Sequence, residues 1–233
     1  YRICYNIKIV CKKQNKSSNK QNGVFFMSKG YFISIEGGDG SGKSTQIKKM
    51  VSYLEAKGYS VVVTREPGGT PIAEAIRNII LNPAYSHMTA RTEMLLYAAS
   101  RAQHVEEKIL PALSAGKIVL SDRFTDSSIA YQAYGRDLGD MVRIVNGIAT
   151  AGLKPDLTIY LALSAADGIA RKQAQQQHSL DRMELETQAF HERVAAGYEA
   201  LCQAEPARIC RIDAGQEIET VFSHIRSALD VLL

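Results

Sequence analysis

Five short apolar runs alternate with longer amphipathic stretches along this chain of 233 residues. Tyr31 to Ile35, Ser60 to Thr64, Lys117 to Ser121, Leu157 to Leu163 and Arg208 to Ile212 read as strands. They are too short for stable helices, and Ser60 to Thr64 is β-branched almost throughout. Between them, apolar positions recur at helical spacing. Ile47, Met50, Val51 and Leu54 mark a helix after the first strand, and Gly58 ends it. Pro71 opens a helix with Ile72, Ala75, Ile76, Ile79 and Ile80 on one face. A long helix is predicted from Thr89 to Ser114, striped by Leu95, Leu96, Ala99, Val105, Ile109 and Leu113, with a kink at Pro111. Shorter helices are predicted over 126–132, 137–149 and 165–174, a longer one over 183–203, and a last one over 217–232. Strand followed by helix throughout predicts an α/β fold: a doubly wound, parallel five-stranded sheet with helices on both faces. Ligands of such sheets bind beyond the carboxyl ends of the strands. The polar clusters at those ends are the loop around Lys43, Arg65-Glu66, Asp122-Arg123 and Asp213.

Charge changes this picture only at the start of the chain. Residues 1–26 hold Arg2, Lys8, Lys12, Lys13, Lys16 and Lys20 and no acid. The remainder carries 22 basic against 24 acidic residues, so the formal net charge of +4 does not describe a basic nucleic-acid surface. Residues 1–26 are expected to be a disordered or non-native extension ahead of Met27, and residues 27–233 a single domain. No apolar run approaches the ~18 residues that span a bilayer, so no membrane partner is expected. Cys4, Cys11, Cys202 and Cys210 lack metal-ligand spacing and suit a reducing cytoplasm.

The segment after the first strand, Gly37-Gly38-Asp39-Gly40-Ser41-Gly42-Lys43-Ser44-Thr45, contains G-x-x-x-x-G-K-S between a strand and a helix. That is the phosphate-binding loop. Its glycines allow successive backbone N–H groups to turn onto phosphate oxygens, and the helix beginning near Lys43 points its positive end at the same place. Lys43 is placed to reach the outer phosphates, and Ser44 to offer its hydroxyl to Mg²⁺. Two classes of protein use this loop: a small kinase and a nucleotide-driven switch or motor. A guanine switch needs Asn-Lys-x-Asp, which is absent. A kinase needs a second anion site and a cationic cover. Arg77, Arg101, Arg123, Arg171 and Arg182 are arginines available for that purpose.

REPGGT (65–70), EMLLYAASRAQH (93–104), DRFTDSSIAYQ (122–132), the Pro155-Asp156-Leu157-Thr158 entry to the fourth strand, and LDR (180–182) follow the loop in order. With this set, residues 29–233 resemble the bacterial thymidylate kinases, which are P-loop NTPase-type proteins with a short lid, here residues 172–182. The resemblance implies a cytoplasmic homodimer that uses ATP, with Mg²⁺, to phosphorylate dTMP in dTTP biosynthesis. It implies that Asp39 lies near the 3′-hydroxyl of the sugar, that Arg77 and Arg123 hold the monophosphate, and that Glu66 belongs to the substrate site. Tyr97 stands where a Phe stacks on thymine, Arg101 where a donor meets a thymine carbonyl, and Ser128 and Gln132 at base-contacting positions. Tyr131 would crowd the 2′ side of the sugar, and Asp122 would bind Mg²⁺ through water. Another nucleoside monophosphate or a deoxynucleoside remains an alternative acceptor, and a binding protein without turnover an alternative class. In one respect the chain departs from these relatives. Its loop lacks Arg, and its lid reads RKQAQQQHS (171–179), with glutamines where arginines are expected. Arg182 is therefore expected to be the main lid cation with Lys172 as helper, and Arg171 to stack on adenine. His104 and His178 read as structural or solvated.

Overall fold

A computed structural model describes residues 30–174 and 180–233. β1 (Phe32–Glu36), β2 (Val61–Arg65), β3 (Ile118–Asp122), β4 (Leu157–Ala162) and β5 (Ile209–Asp213) form one parallel sheet in the order β2-β3-β1-β4-β5. Each strand lies within one residue of its predicted bounds. β1 is central, with Ser34 opposite Ser121 of β3 and Thr158 of β4. Being covered on both faces, it is buried along its whole length.

The pleat sends alternate β1 side chains to opposite faces. Ile33 and Ile35 join Met50 and Leu54 of α1 (Lys43–Ala56) and Ile225 and Leu229 of α9 (Ile218–Leu232). Phe32 goes the other way, to Val105, Ile109, Val119 and Phe124. Glu36 follows Phe32 in phase and meets Ser127 and Tyr198. The second face is roofed by α2 (Pro71–Leu81), α3 (Ala90–His104), α4 (Leu110–Ser114), α5 (Thr125–Ser128), α6 (Met141–Ala149) and α8 (Gln188–Ala204), while α7 (Ala165–Ala174) follows β4.

Four expectations are corrected. The single helix over 89–114 is α3, a wider π-helical turn over Val105–Ile109, and α4. Pro111 sits in the first turn of α4, where its missing N–H is harmless. The helix predicted over 126–132 is α5 running into a π-helical segment, Ile129–Gly135, in which Arg136 N donates to Tyr131 O at 2.9 Å. The helix predicted from 183 begins at Gln188. Asp181 Oδ1 accepts from the backbone of Met183 and Glu184 and holds a turn there, and the Thr187 hydroxyl caps α8 by accepting from Phe190 N. Finally, the stripe read on α2 does not face inward as a whole: Ile80 and Ala73 are buried, whereas Ile72 and Ile79 are 56% and 44% exposed.

α8 crosses the 129–135 segment closely because Gly197 stands at the crossing. A Cβ there would lie 2.9 Å from Tyr134 Cγ and 3.0 Å from Ala130 Cα. Gly197→Ala gains about 1 kcal/mol of helix propensity but overpacks a contact at a cost of about 1–3 kcal/mol. The expected net is a loss on the order of 1 kcal/mol in urea unfolding. A higher urea midpoint would show that the crossing relaxes freely.

Candidate active site

β1 delivers the chain to the phosphate loop at the centre of the sheet, where the strand order changes direction. Gly42, with φ +89°, caps α1 in a conformation that side chains strain to adopt. Lys43 Nζ is buried and donates to the carbonyl oxygens of Gly37 at 3.1 Å and Gly38 at 3.0 Å. Burial, with the charge of Arg123, pushes its ammonium down to about 8. Ser44 and Thr45 open from the first turn of α1 onto the same cavity as Asp122. One buried oxygen of Asp122, Oδ1, has no hydrogen-bond partner among the described residues.

That cavity, about 380 Å³, runs without a break from the loop to Arg77, Tyr97, Arg101, Ser128, Tyr131 and Gln132. Arg123 stands between its two ends. Its backbone is left-handed, φ +72°, a strain of about 1–3 kcal/mol for a residue with a side chain. Fixed contacts offset it: Arg123 N donates to Ile35 O at 2.9 Å, Nη1 to Gly37 O at 2.9 Å and Nη2 to Asp39 Oδ1 at 2.8 Å. Burial opposes ionisation of Asp39, but the charges of Arg123 and Lys43 prevail and hold its carboxyl well below the usual range. The Arg123 guanidinium also lies 5.2 Å from the Tyr131 ring centre. Beneath it, Glu36 accepts from Phe124 N at 2.7 Å, Ser127 Oγ at 2.5 Å and Tyr198 Oη at 2.9 Å. Burial and the nearby Asp126 push the Glu36 carboxyl up to about 7.

Arg101 is buried and almost fully engaged. Nε donates to Glu66 Oε2 at 2.7 Å, Nη1 to Ser128 Oγ at 3.0 Å and Asn146 Oδ1 at 2.6 Å, and Nη2 to Phe124 O at 3.1 Å. Glu66 lines the cavity, yet its other oxygen meets His104 Nδ1 at 3.0 Å, and His104 Nε2 pairs with Thr64 Oγ1 at 2.6 Å. Glu66 therefore holds Arg101 in place, and His104 is a buried structural residue. Arg77 Nη1 donates to Pro67 O at 2.9 Å from the cavity wall.

The cations expected to serve a lid divide. Lys172 lines the cavity and is ion-paired with Glu184. Arg171 lies outside it and donates to Ala214 O at 3.1 Å, beside the turn after β5. Arg182, expected as the main lid cation, is only 5% exposed; it is paired with Glu93 at 2.7 Å and donates to Ile80 O at 2.7 Å. It does not line the cavity, so that assignment is corrected: Arg182 is a buried anchor between α2 and α3. His178 and the glutamines at 175–177 lie outside the described residues.

Glu36, Glu93, Asn146, Ser127, Asp181 and Glu184 were not foreseen from the sequence. Asp181 and Glu184 flank the Leu-Asp-Arg motif and could have been noticed there. Glu93 and Ser127 lie within the segments 93–104 and 122–132 that carry the resemblance, and Glu36 directly before the phosphate loop, but the pattern assigns them no role; Asn146 carries no such signal.

The sequence matches the family description "Thymidylate kinase" over residues 35–225. The thymidylate kinase of an Exiguobacterium species is 54% identical over 193 residues, covering 82% of this chain and 90% of its own. That of Lactobacillus delbrueckii subsp. bulgaricus is 53% identical over 194 residues, covering 82% of this chain and 92% of its own. The crystal structure of thymidylate kinase from Ehrlichia chaffeensis superposes with a TM-score of 0.69 at 31% identity, over 86% of this chain and 98% of that one. An identity above one half across 82% of this chain and nine-tenths of each relative, with a family match over 35–225, leaves one conclusion: the chain belongs to the thymidylate kinase family.

Proposed function

We propose that this chain transfers the γ-phosphoryl group of ATP to dTMP, giving dTDP and ADP. The observation that carries the reading is the single cavity joining the phosphate loop to Arg101, Tyr131 and Gln132, with Arg123 between. Backbone N–H groups of 37–44, the α1 terminus and Lys43 take the donor phosphates, and Arg171 flanks the adenine. Arg77 and Arg123 take the acceptor monophosphate. Asp39 faces the sugar hydroxyl, Tyr97 the base plane, Arg101 a base carbonyl and Tyr131 the 2′ side. The attacking phosphate oxygen is already ionised, so no general base is needed. The protein's task is alignment and neutralisation of charge. Ser44 and, through water, Asp122 would hold Mg²⁺; hard oxygens and a partnerless carboxylate oxygen fit that ion. When bound, it supplies positive charge to the transferring phosphates. An ADP-release assay across nucleoside monophosphates tests the reading. dTMP should be the best acceptor. dUMP should be weaker by about tenfold, the worth of one methyl in a fitted pocket. dCMP should be poor, and a kcat/KM for dCMP equal to that for dTMP would refute the acceptor assignment.

With Arg182 held by Glu93, Lys172 is the lid cation the geometry supports. It lines the cavity, and its charge is among those that lower the pKa of Asp39. Lys172→Ala should lower kcat at saturating substrates by at least about tenfold. Arg182→Ala should instead lower the melting temperature, because it leaves Glu93 short of a buried partner. Retention of kcat within threefold in Lys172→Ala would move the cation elsewhere.

We also propose a homodimer acting in the cytoplasm. No helix among the described residues is long and apolar enough to cross a membrane. Cys202 and Cys210 are free thiols, which suits a reducing compartment. Neighbouring helices α2, α3 and α6 expose Ile72 and Ile79, Leu95, and Met141, Ile144 and Ile148. Ile144 and Ile148 are 66% and 79% exposed, an apolar surface of the kind that marks an interface. The double substitution Ile144→Glu, Ile148→Glu should convert the protein to monomer in sedimentation experiments. An unchanged sedimentation coefficient would place the interface on another face.

A further inference from the structure

Glu93 lies in the first turn of α3 and is completely buried. Four donors converge on it. Gln132 Nε2 donates to Oε1 at 2.9 Å, Arg136 Nε to Oε1 at 3.2 Å, Arg136 Nη2 to Oε2 at 2.9 Å, and Arg182 Nη1 lies 2.7 Å from Oε2. Burial opposes its ionisation, but hydrogen bonds and the charge of Arg136 outweigh burial and lower its pKa. A carboxylate ion only accepts hydrogen bonds. The Gln132 amide must therefore turn its NH₂ toward Glu93, whichever way such a group could otherwise flip.

This orientation has a consequence at the cavity. Gln132 lines it, and with the NH₂ committed to Glu93 the amide oxygen is left for a ligand. Nearby, Arg101 has Nε on Glu66, Nη1 on Ser128 and Asn146, and Nη2 on Phe124 O. One N–H of Nη2 remains. Among the polar groups of the cavity wall, that N–H and the Gln132 amide oxygen form one donor and one acceptor. A thymine or uracil edge answers with a carbonyl oxygen and an N–H at adjacent ring positions. A cytosine edge answers with an amino group and a bare ring nitrogen, the reverse pattern. A reversed pattern leaves buried groups unpaired, which is the strong form of discrimination.

We propose that Glu93 is a positioning residue for base selection: by fixing the Gln132 amide it sets the acceptor that admits an N–H-bearing pyrimidine and refuses cytosine. This rests on the cavity being the acceptor site for dTMP. The competing account is that Glu93 only neutralises Arg136 and Arg182.

The experiment measures kcat/KM for dTMP and dCMP in four single variants and one double variant. Glu93→Gln frees the Gln132 amide to turn over, and the dTMP/dCMP ratio should shrink at least tenfold. Glu93→Asp keeps the charge on the two arginines while withdrawing the carboxylate from Gln132. Its ratio should shrink at least threefold, and it decides the matter if Glu93→Gln does not fold. Gln132→Met should shrink the ratio as far as Glu93→Gln, with the double variant no worse than either. Arg136→Met should lower the melting temperature and leave the ratio within twofold. The inference is overturned if Glu93→Asp keeps the ratio within twofold while Gln132→Met shrinks it, or if Arg136→Met shrinks it as much as Glu93→Gln. A Gln132→Met enzyme with an unchanged ratio would remove the base-facing role of Gln132 itself, and the inference with it.

Discussion

Two anions must meet at the carboxyl edge of this sheet, and their mutual repulsion is the constraint on which the structure turns. Unit charges 4 Å apart interact by about 4 kcal/mol at the effective dielectric of a partly buried site. Cations offset that only if they stay in place when the site is empty of anions. The chain holds the arginine that stands between them, Arg123, on the carboxylate of Asp39; Arg101 on Glu66 and, outside the cavity, Arg182 on Glu93 are fixed in the same way. Arg208, far from the chemistry, repeats the arrangement on Asp126. Each pair sacrifices solvation of both ions, and its return is a guanidinium that needs little reorganisation as charge moves.

Glu36 shows the same logic one layer deeper. It is the last residue of β1, and the pleat points it away from the α1 face. It receives the backbone of Phe124 and the hydroxyls of Ser127 and Tyr198, while both hydroxyls also lie within reach of Arg123. A strained φ at Arg123 is thus bracketed on either side by fixed hydrogen bonds. The conformation that aims its side chain at the cavity is set by the surrounding structure rather than by local preference.

The sheet was legible because its signal is local. Five short apolar runs, each followed by a loop with Gly, Pro or charge, settle both the strands and the edge at which ligands bind. The loop from Gly37 to Ser44 was legible because its chemistry depends on spacing alone. The supporting acids were not. Glu93 lies on a helix whose charge, read by period, passes for a solvated one, and only the packing of 129–135 and of Arg182 around it shows that it is central. Arg182 misled for the same reason: a planar cation next to the lid has the right chemistry for catalysis and, in space, the wrong neighbours. The start of α8 was missed because a turn held by Asp181 looks like helix until the Thr187 cap is given its due weight. The stripe on α2 was read as core because periodicity finds an apolar face without saying what covers it.

That uncovered face bears on the two halves of the site in different ways. The donor half is founded on the middle of a parallel sheet packed on both sides. The acceptor half hangs on α2, α3 and α6, which carry Arg77, Tyr97, Arg101 and Asn146 on the inner side and apolar residues on the outer. It is a wall with one finished surface. Anything that braces the outer surface stiffens first the pocket that reads the nucleotide base. Tolerance to mutation should be distributed accordingly: changes on the outer wall register first as a loss of selectivity among acceptors, long before the phosphate loop feels them.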